Sequence, residues 1–162
     1  MNQKIKVLSL LLLCLSLWTC KEESYIYEVN EVRVASSNTD KTKEKTKEQY
    51  LNIVYANLFQ TALSPNKLVQ ASNVVESIGD KQVAYETILA KFMKDGNVVL
   101  PSNASMRADL PKFIIETYER FYVRKPTEAE KTFFVNYIES HPNITPEHIY
   151  FSFASSDEYY YY

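Results

Sequence analysis

Few residues in this chain have the type and spacing that chemistry requires. The two histidines, His141 and His148, are separated by Pro142 and Pro146, so helical spacing between them cannot be assumed. A zinc site would need a third or fourth ligand. They read as surface histidines near helix ends. The paired carboxylates Glu22/Glu23 and Glu128/Glu130 fit solvated charge and helix capping better than an acid/base pair. No C-x-x-C-H, H-E-x-x-H, G-x-S-x-G or glycine-rich phosphate loop is present. No catalytic residue, metal ligand or cofactor site is therefore assigned, and the expectation is a protein that is not an enzyme. The most unusual local feature is the end of the chain, Glu158 followed by Tyr159, Tyr160, Tyr161 and Tyr162. Tyrosine gives large contact area at low entropic cost, so these four, with Tyr25 and Tyr27, are candidates for binding a partner. The alternative is that Tyr159 and a neighbour pack on the domain while the rest fray.

Cys20 is the one residue for which the sequence suggests a covalent role. Residues 1–19 read as a signal peptide. Lys4 and Lys6 give it a positive start, and VLSLLLLCLSL from Val7 to Leu17 is its apolar stretch. That stretch is too short to span a bilayer, which takes roughly 20 apolar residues. Trp18 spoils the small-x-small pattern of ordinary cleavage. Leu17-Trp18-Thr19-Cys20 instead resembles the bacterial lipobox, which implies a diacylglycerol thioether on Cys20 and cleavage before it. The start looks like that of Bacteroidota lipoproteins. There, acidic residues after the cysteine resemble a surface-export signal, carried here by Lys21, Glu22 and Glu23. The resemblance implies attachment to the bilayer through acylated Cys20, an outer-membrane location with the surface as the export signal's destination, and no cofactor beyond that lipid.

Cleavage there would remove Cys14, leaving no cysteine free for a disulfide, even in an oxidising compartment. It would also remove the only tryptophan, Trp18, while keeping all 13 tyrosines and 8 phenylalanines. Loss of Lys4 and Lys6 makes the formal charge of −2 more negative by two. An acidic chain of this kind is not expected to bind nucleic acid.

Only Gly79 and Gly96 are glycines, which favours helices over the turns of sandwiches and barrels. Ser24 to Val34 reads as a short strand or an extended tether. Residues 20–48 form a charged tether, in which Asn38, Thr39 or Asp40 is expected to cap a helical entry carrying Lys41 to Glu48. A first helical unit follows at 49–96. Tyr50, Leu51, Val54, Tyr55, Leu58 and Phe59 make its first apolar face. Ser64-Pro65 starts a second helix and Gly79-Asp80 ends it. Val83, Ala84, Ile88, Leu89 and Phe92 mark a third. Residues 97–110 read as a connecting loop, with Asp109 as a cap before Pro111. A second unit fills 111–162. In it, Thr127 and Glu130 form a capping box, and Thr145 caps the last helix.

The two units align without a gap at an offset of 63 residues, so that Tyr55 meets Tyr118, Leu58 meets Phe121 and Ser64 meets Thr127. The expected fold is all-α: two packed three-helix units, related by duplication, after an extended N-terminal tether. Within the second unit, Tyr118, Arg124, Pro126, Thr127, Ser156, Glu158 and Tyr159 resemble the helical repeats of phycobilisome-linker-like proteins and several secreted bacterial proteins. That resemblance implies a non-catalytic scaffold or interaction module. The expected function is a membrane-anchored binding or scaffold lipoprotein, an accessory subunit with a protein partner in the cell envelope. A surface glycan- or ligand-binding module and an envelope hydrolase are the competing readings.

Overall fold

The computed structural model describes residues 41–161. Cys20, Lys21, Glu22, Glu23, Tyr25, Tyr27, the segment 24–34 and Tyr162 lie outside the described residues. Within them the chain is all-α, with eight helices and no strand. In chain order these are α1 Lys47–Phe59, α2 Pro65–Ile78, α3 Lys81–Met93, α4 Asn103–Ala108, α5 Leu110–Tyr122, α6 Glu128–Ser140, α7 Pro146–Ala154 and α8 Asp157–Tyr160. None is long and apolar enough to cross a membrane.

Side chains start most of these helices. Ser64, Asp80, Ser102, Asp109, Thr127 and Ser156 each accept a backbone N–H from the first turn. Each such cap is worth roughly 1 kcal/mol. The entry to α1 differs from the sequence expectation. Its cap is Thr46, not Asn38, Thr39 or Asp40, and Gln49 completes a capping box. Residues 41–46 are not helical. The Lys45 N–H donates to Tyr160 O at 2.8 Å, and Glu44 pairs antiparallel with Tyr161. The reason lies in the Lys45 side chain, which is buried and donates to the carbonyls of Tyr159 and Tyr161 at the open end of α8. A cation at a helix C-terminus is favourable, and it holds this stretch extended. Burial and nearby Lys41 push the Lys45 ammonium down to about 8.

Two further elements escape the sequence pattern. The 97–110 connection carries α4, whose Met106 is fully buried. The Tyr-rich tail folds into α8.

The same motif occurs twice. α1, α2 and α3 pack together, as do α5, α6 and α7. The buried residues of α1 recur 63 positions later in α5: Tyr50, Leu51, Val54, Tyr55, Leu58 and Phe59 become Phe113, Ile114, Thr117, Tyr118, Phe121 and Tyr122. Both helices end in a non-glycine left-handed residue, Gln60 (φ 55°) and Val123 (φ 56°), again 63 apart. The gapless offset fails at the third helix, however. Asp80 and Thr145 open α3 and α7, and the buried set Ala84, Tyr85, Ile88 and Leu89 matches Ile149, Tyr150, Phe153 and Ala154 at an offset of 65. The turn from His141 to Ile144 is three residues longer than the one at Gly79 and α6 is one residue shorter than α2, which together shift the offset by two. With that correction, the near-parallel Tyr50–Tyr85 stack (4.0 Å) matches the Phe113–Tyr150 stack (6.1 Å).

The halves share one core. Counterparts meet along the seam, as expected of elements related by a twofold axis. α3 packs on α7, and the Arg120 side chain donates to the carbonyl of its own counterpart, Asn57, at 2.6 Å. Arg120 also reaches Val99 O at 3.0 Å and the Tyr150 hydroxyl at 3.1 Å. Tyr159 closes the seam between α1 and α5, edge-on to Tyr50 and Phe121, with its hydroxyl accepting from Asn57 Nδ2 at 2.9 Å.

Candidate functional site

Three places concentrate charge and aromatic surface. The first is built around Arg124. Val123, left-handed and 88% exposed, turns the chain sharply after α5 and sends Arg124 back over the helix. Its guanidinium lies 4.9 Å from the centre of the Tyr118 ring and 5.7 Å from that of Tyr122. It donates to Glu158 at 2.6 and 2.7 Å and to Glu130 at 2.6 and 2.9 Å. Lys41 adds a second cation on Glu158 at 3.1 Å. Hydrogen bonds from Arg124, outweighing burial and aided by Thr127, hold the Glu130 carboxyl down at about 2. At Glu158 burial opposes ionisation, but hydrogen bonds from Arg124 and Lys41 overcome it and lower its pKa. Tyr122 Oη and Ser156 Oγ meet at 2.8 Å. Tyr118, Arg124, Thr127, Ser156 and Glu158, quoted above for their resemblance to helical repeats, thus form one connected cluster. Every charge in it is matched, so its chemistry is that of a staple joining α5, α6 and α8.

The second place is the outer face of α6. Phe133 is 62% exposed and Tyr137 39%. Their rings lie nearly parallel, 6.1 Å apart, and Tyr137 continues into His141 at 4.3 Å. The spacing i, i+4, i+8 makes these three a stripe along one helix face. It leads to a hollow of about 450 Å³ beside the end of α6, lined by both histidines and Phe151. Each histidine serves a helix end. The His141 Nδ1 lies 2.7 Å from Tyr137 O, and the His148 Nδ1 accepts the Thr145 N–H at 3.2 Å. Arg107 donates to the carbonyls of Pro142 and Ile144 at 2.8 and 2.9 Å, fixing the turn between them. Among the described residues, no His, Cys, Asp or Glu come together in a group of three or more able to hold a metal ion.

The third place is a cleft of about 300 Å³ in the first half, between α1, α2 and α3. Tyr55 and Phe59 stack at 4.2 Å, and Phe92 stands edge-on to both at 5.4 and 5.9 Å. Ala71 and Val74 supply the α2 wall, and Lys67 and Lys91 stand on the rim. The Lys67 ammonium lies 5.5 Å from the centre of the Tyr55 ring. Asp95 is also on the rim, but its carboxylate accepts the N–H and side-chain amide of Asn97 at 3.0 and 2.8 Å. Those bonds hold its pKa below the usual range. Sequence periodicity assigned these positions to the core and missed the opening. The signal for it was present in the 63-residue alignment, which sets Gln70-Ala71 against Phe133-Phe134.

Of the candidate partner-binding tyrosines, Tyr159 is 1% exposed and belongs to the core. Tyr160 is half-buried against Tyr50 and Tyr85. Tyr161 is 37% exposed, with its backbone tied to Glu44 and Lys45. No protein-family model, curated protein or solved structure matches the chain.

Proposed function

We propose that this chain is a non-catalytic, lipid-anchored helical module that binds or scaffolds a protein partner, as an accessory subunit of an outer-membrane or cell-surface complex. Cys20 carries the lipid, Lys21, Glu22 and Glu23 direct export, and the charged tether stands the helical body off the bilayer. The observation that carries the reading is the outer face of α6. Phe133 and Tyr137 place stacked rings in solvent on an element whose Ile138 is fully buried in the core. Large exposed aromatics of this kind are typical anchors of protein interfaces. The polar side chains nearest the core support the same reading, because Arg107, Arg120 and Arg124 are all engaged with carbonyls and carboxylates.

Affinity capture from membranes solubilised in mild detergent tests the proposal. The wild-type protein should recover a stoichiometric partner, and Phe133→Asp with Tyr137→Asp should lose it. A clean monomer from the wild type would overturn it. A second reading, glycan binding, draws on the near-parallel Phe133 and Tyr137 rings, since sugars stack on flat aromatic surfaces. Calorimetry with polysaccharides separates the two, because only the glycan reading expects heat of binding.

A further inference from the structure

The two halves differ most where the first one is open. On α6, Phe133, Phe134 and Tyr137 stand 63 residues after Gln70, Ala71 and Val74 on α2. On α7, Phe153 stands at the place of Ile88. In the second half the rings of Tyr118 and Tyr122 are therefore covered from within. Phe134 lies 6.0 Å from Tyr118, Phe153 stacks on Tyr122 at 4.8 Å, and the Arg124 guanidinium lies over both tyrosines. In the first half Phe92 stands edge-on to the counterparts Tyr55 and Phe59, which are 9% and 7% exposed, but the α2 side carries only Ala71, and Thr61 stands at the place of Arg124. The cleft of about 300 Å³ lies beside Ala71 and Ile88, where the second half carries Phe134 and Phe153. It is bounded by three aromatic rings, so its floor is complementary to a fourth.

Charge narrows the occupant. Lys67 stands where the second half has Glu130, which reverses the sign of that position. Lys67 donates to the Tyr55 hydroxyl at 3.4 Å and its charge also acts on Asp95, while Lys91 makes no hydrogen bond or ion pair among the described residues. The carboxylate of Asp95 accepts from the neutral Asn97 and keeps its negative charge on the rim. The rim thus carries two cations and one carboxylate around an aromatic floor, a net positive charge, where the second half supplies its own ring and its own carboxylates.

We propose that this cleft binds an aromatic side chain flanked by carboxylates, presented by an acidic segment of a partner protein. The inference rests on the reading of the chain as a partner-binding module and names what one of its surfaces recognises. The partner's ring takes the place that Phe134 fills in the second half. Its flanking carboxylates meet Lys67 and Lys91.

Calorimetric titration of the purified protein tests this with a blocked pentapeptide holding phenylalanine between two pairs of glutamates. Saturable one-site binding is expected. Replacing the phenylalanine by alanine, or the glutamates by lysines, should weaken it by at least about tenfold. Ala71→Phe closes the cleft in the way Phe134 does, and should abolish binding while leaving the thermal midpoint nearly unchanged. Should Ala71→Phe fail to fold, Lys91→Glu on the exposed rim should still weaken binding by about threefold or more. Undiminished binding to both variants, or no pentapeptide binding at all, overturns the proposal. Equal affinity for free N-acetylphenylalanine also overturns it, by making the cleft a small-molecule site. In membrane capture, a partner retained by Ala71→Phe and lost by Phe133→Asp leaves the general function standing and removes the cleft from it.

Discussion

At the scale of single residues, Arg124 shows how the second half is held. One guanidinium covers two tyrosine rings and neutralises two carboxylates from different helices. Removing it leaves Glu130 and Glu158 facing each other without their shared cation. Arg124→Ala should therefore destabilise the protein by about 2–3 kcal/mol, measurable by urea unfolding. The same cluster sets an acid response. The Glu130 carboxyl titrates at about 2 in the folded chain, below its ordinary value of 4.5. A depressed carboxylate contributes stability that is fully present above its unfolded pKa and is lost as pH falls toward the folded one. Glu130→Gln should accordingly cost roughly 1 kcal/mol at neutral pH, discounted for partial exposure. The difference from wild type should shrink between about pH 4.5 and 2, read from thermal midpoints across that range. Val123 makes the opposite case. A β-branched residue in the left-handed region is strained, and this one is 88% exposed, so little packing compensates. Val123→Gly should stabilise the fold by about 1 kcal/mol in the same assay.

At the scale of elements, the helix boundaries show which sequence signals decide structure. Ser64, Asp109 and Thr127 were readable as caps because each precedes proline or carries a glutamate three residues on, and each caps through a local bond. The entry to α1 carries the same kind of signal, Thr46 with Gln49 three residues on, but the sequence also offers caps at Asn38, Thr39 and Asp40. Its boundary depends on Lys45 finding the carbonyls of Tyr159 and Tyr161, more than a hundred residues away, and local pattern holds no trace of such a partner. α4 was missed because only one of its side chains, Met106, is buried, too few to make a period. The aromatic faces of α1 and α5 were legible from their spacing, but the cleft beside α1 was not. Periodicity reports which residues face inward, and it cannot report that Ala71 is too small to reach the rings opposite. That difference appears only when α2 is set against α6. The repeat itself was visible in α1/α5 and α2/α6, while the extra residues between His141 and Ile144 shifted the third pair out of register. For the same reason Thr46→Ala should cost about 1 kcal/mol, because the cap that the tether segment was expected to supply lies here.

At the scale of the whole molecule, the last helix joins what the repeat alone would leave side by side. Tyr159 lies between α1 and α5, Glu158 completes the Arg124 cluster, and the carbonyls after α8 receive Lys45. Deleting residues 156–162 would uncover Tyr50 and Phe121 and leave Arg124 with only Glu130. The shortened chain should lose several kcal/mol of stability and bind hydrophobic dyes, as a fluorescence thermal scan would show.

The pairing of Glu44 with Tyr161 brings the first and last described stretches of the helical body to one pole. The path of the polypeptide is therefore nearly a closed ring, and the covalent order of the two halves is a matter of where that ring is cut. A circular permutant, opened near Ser102 and with Tyr161 joined to Lys41 by a short flexible linker, should fold to the same core and unfold in one cooperative step. In such a chain residues 1–40 could be attached between the halves, so under the proposed lipid anchoring the pole presented to a bilayer becomes a design choice.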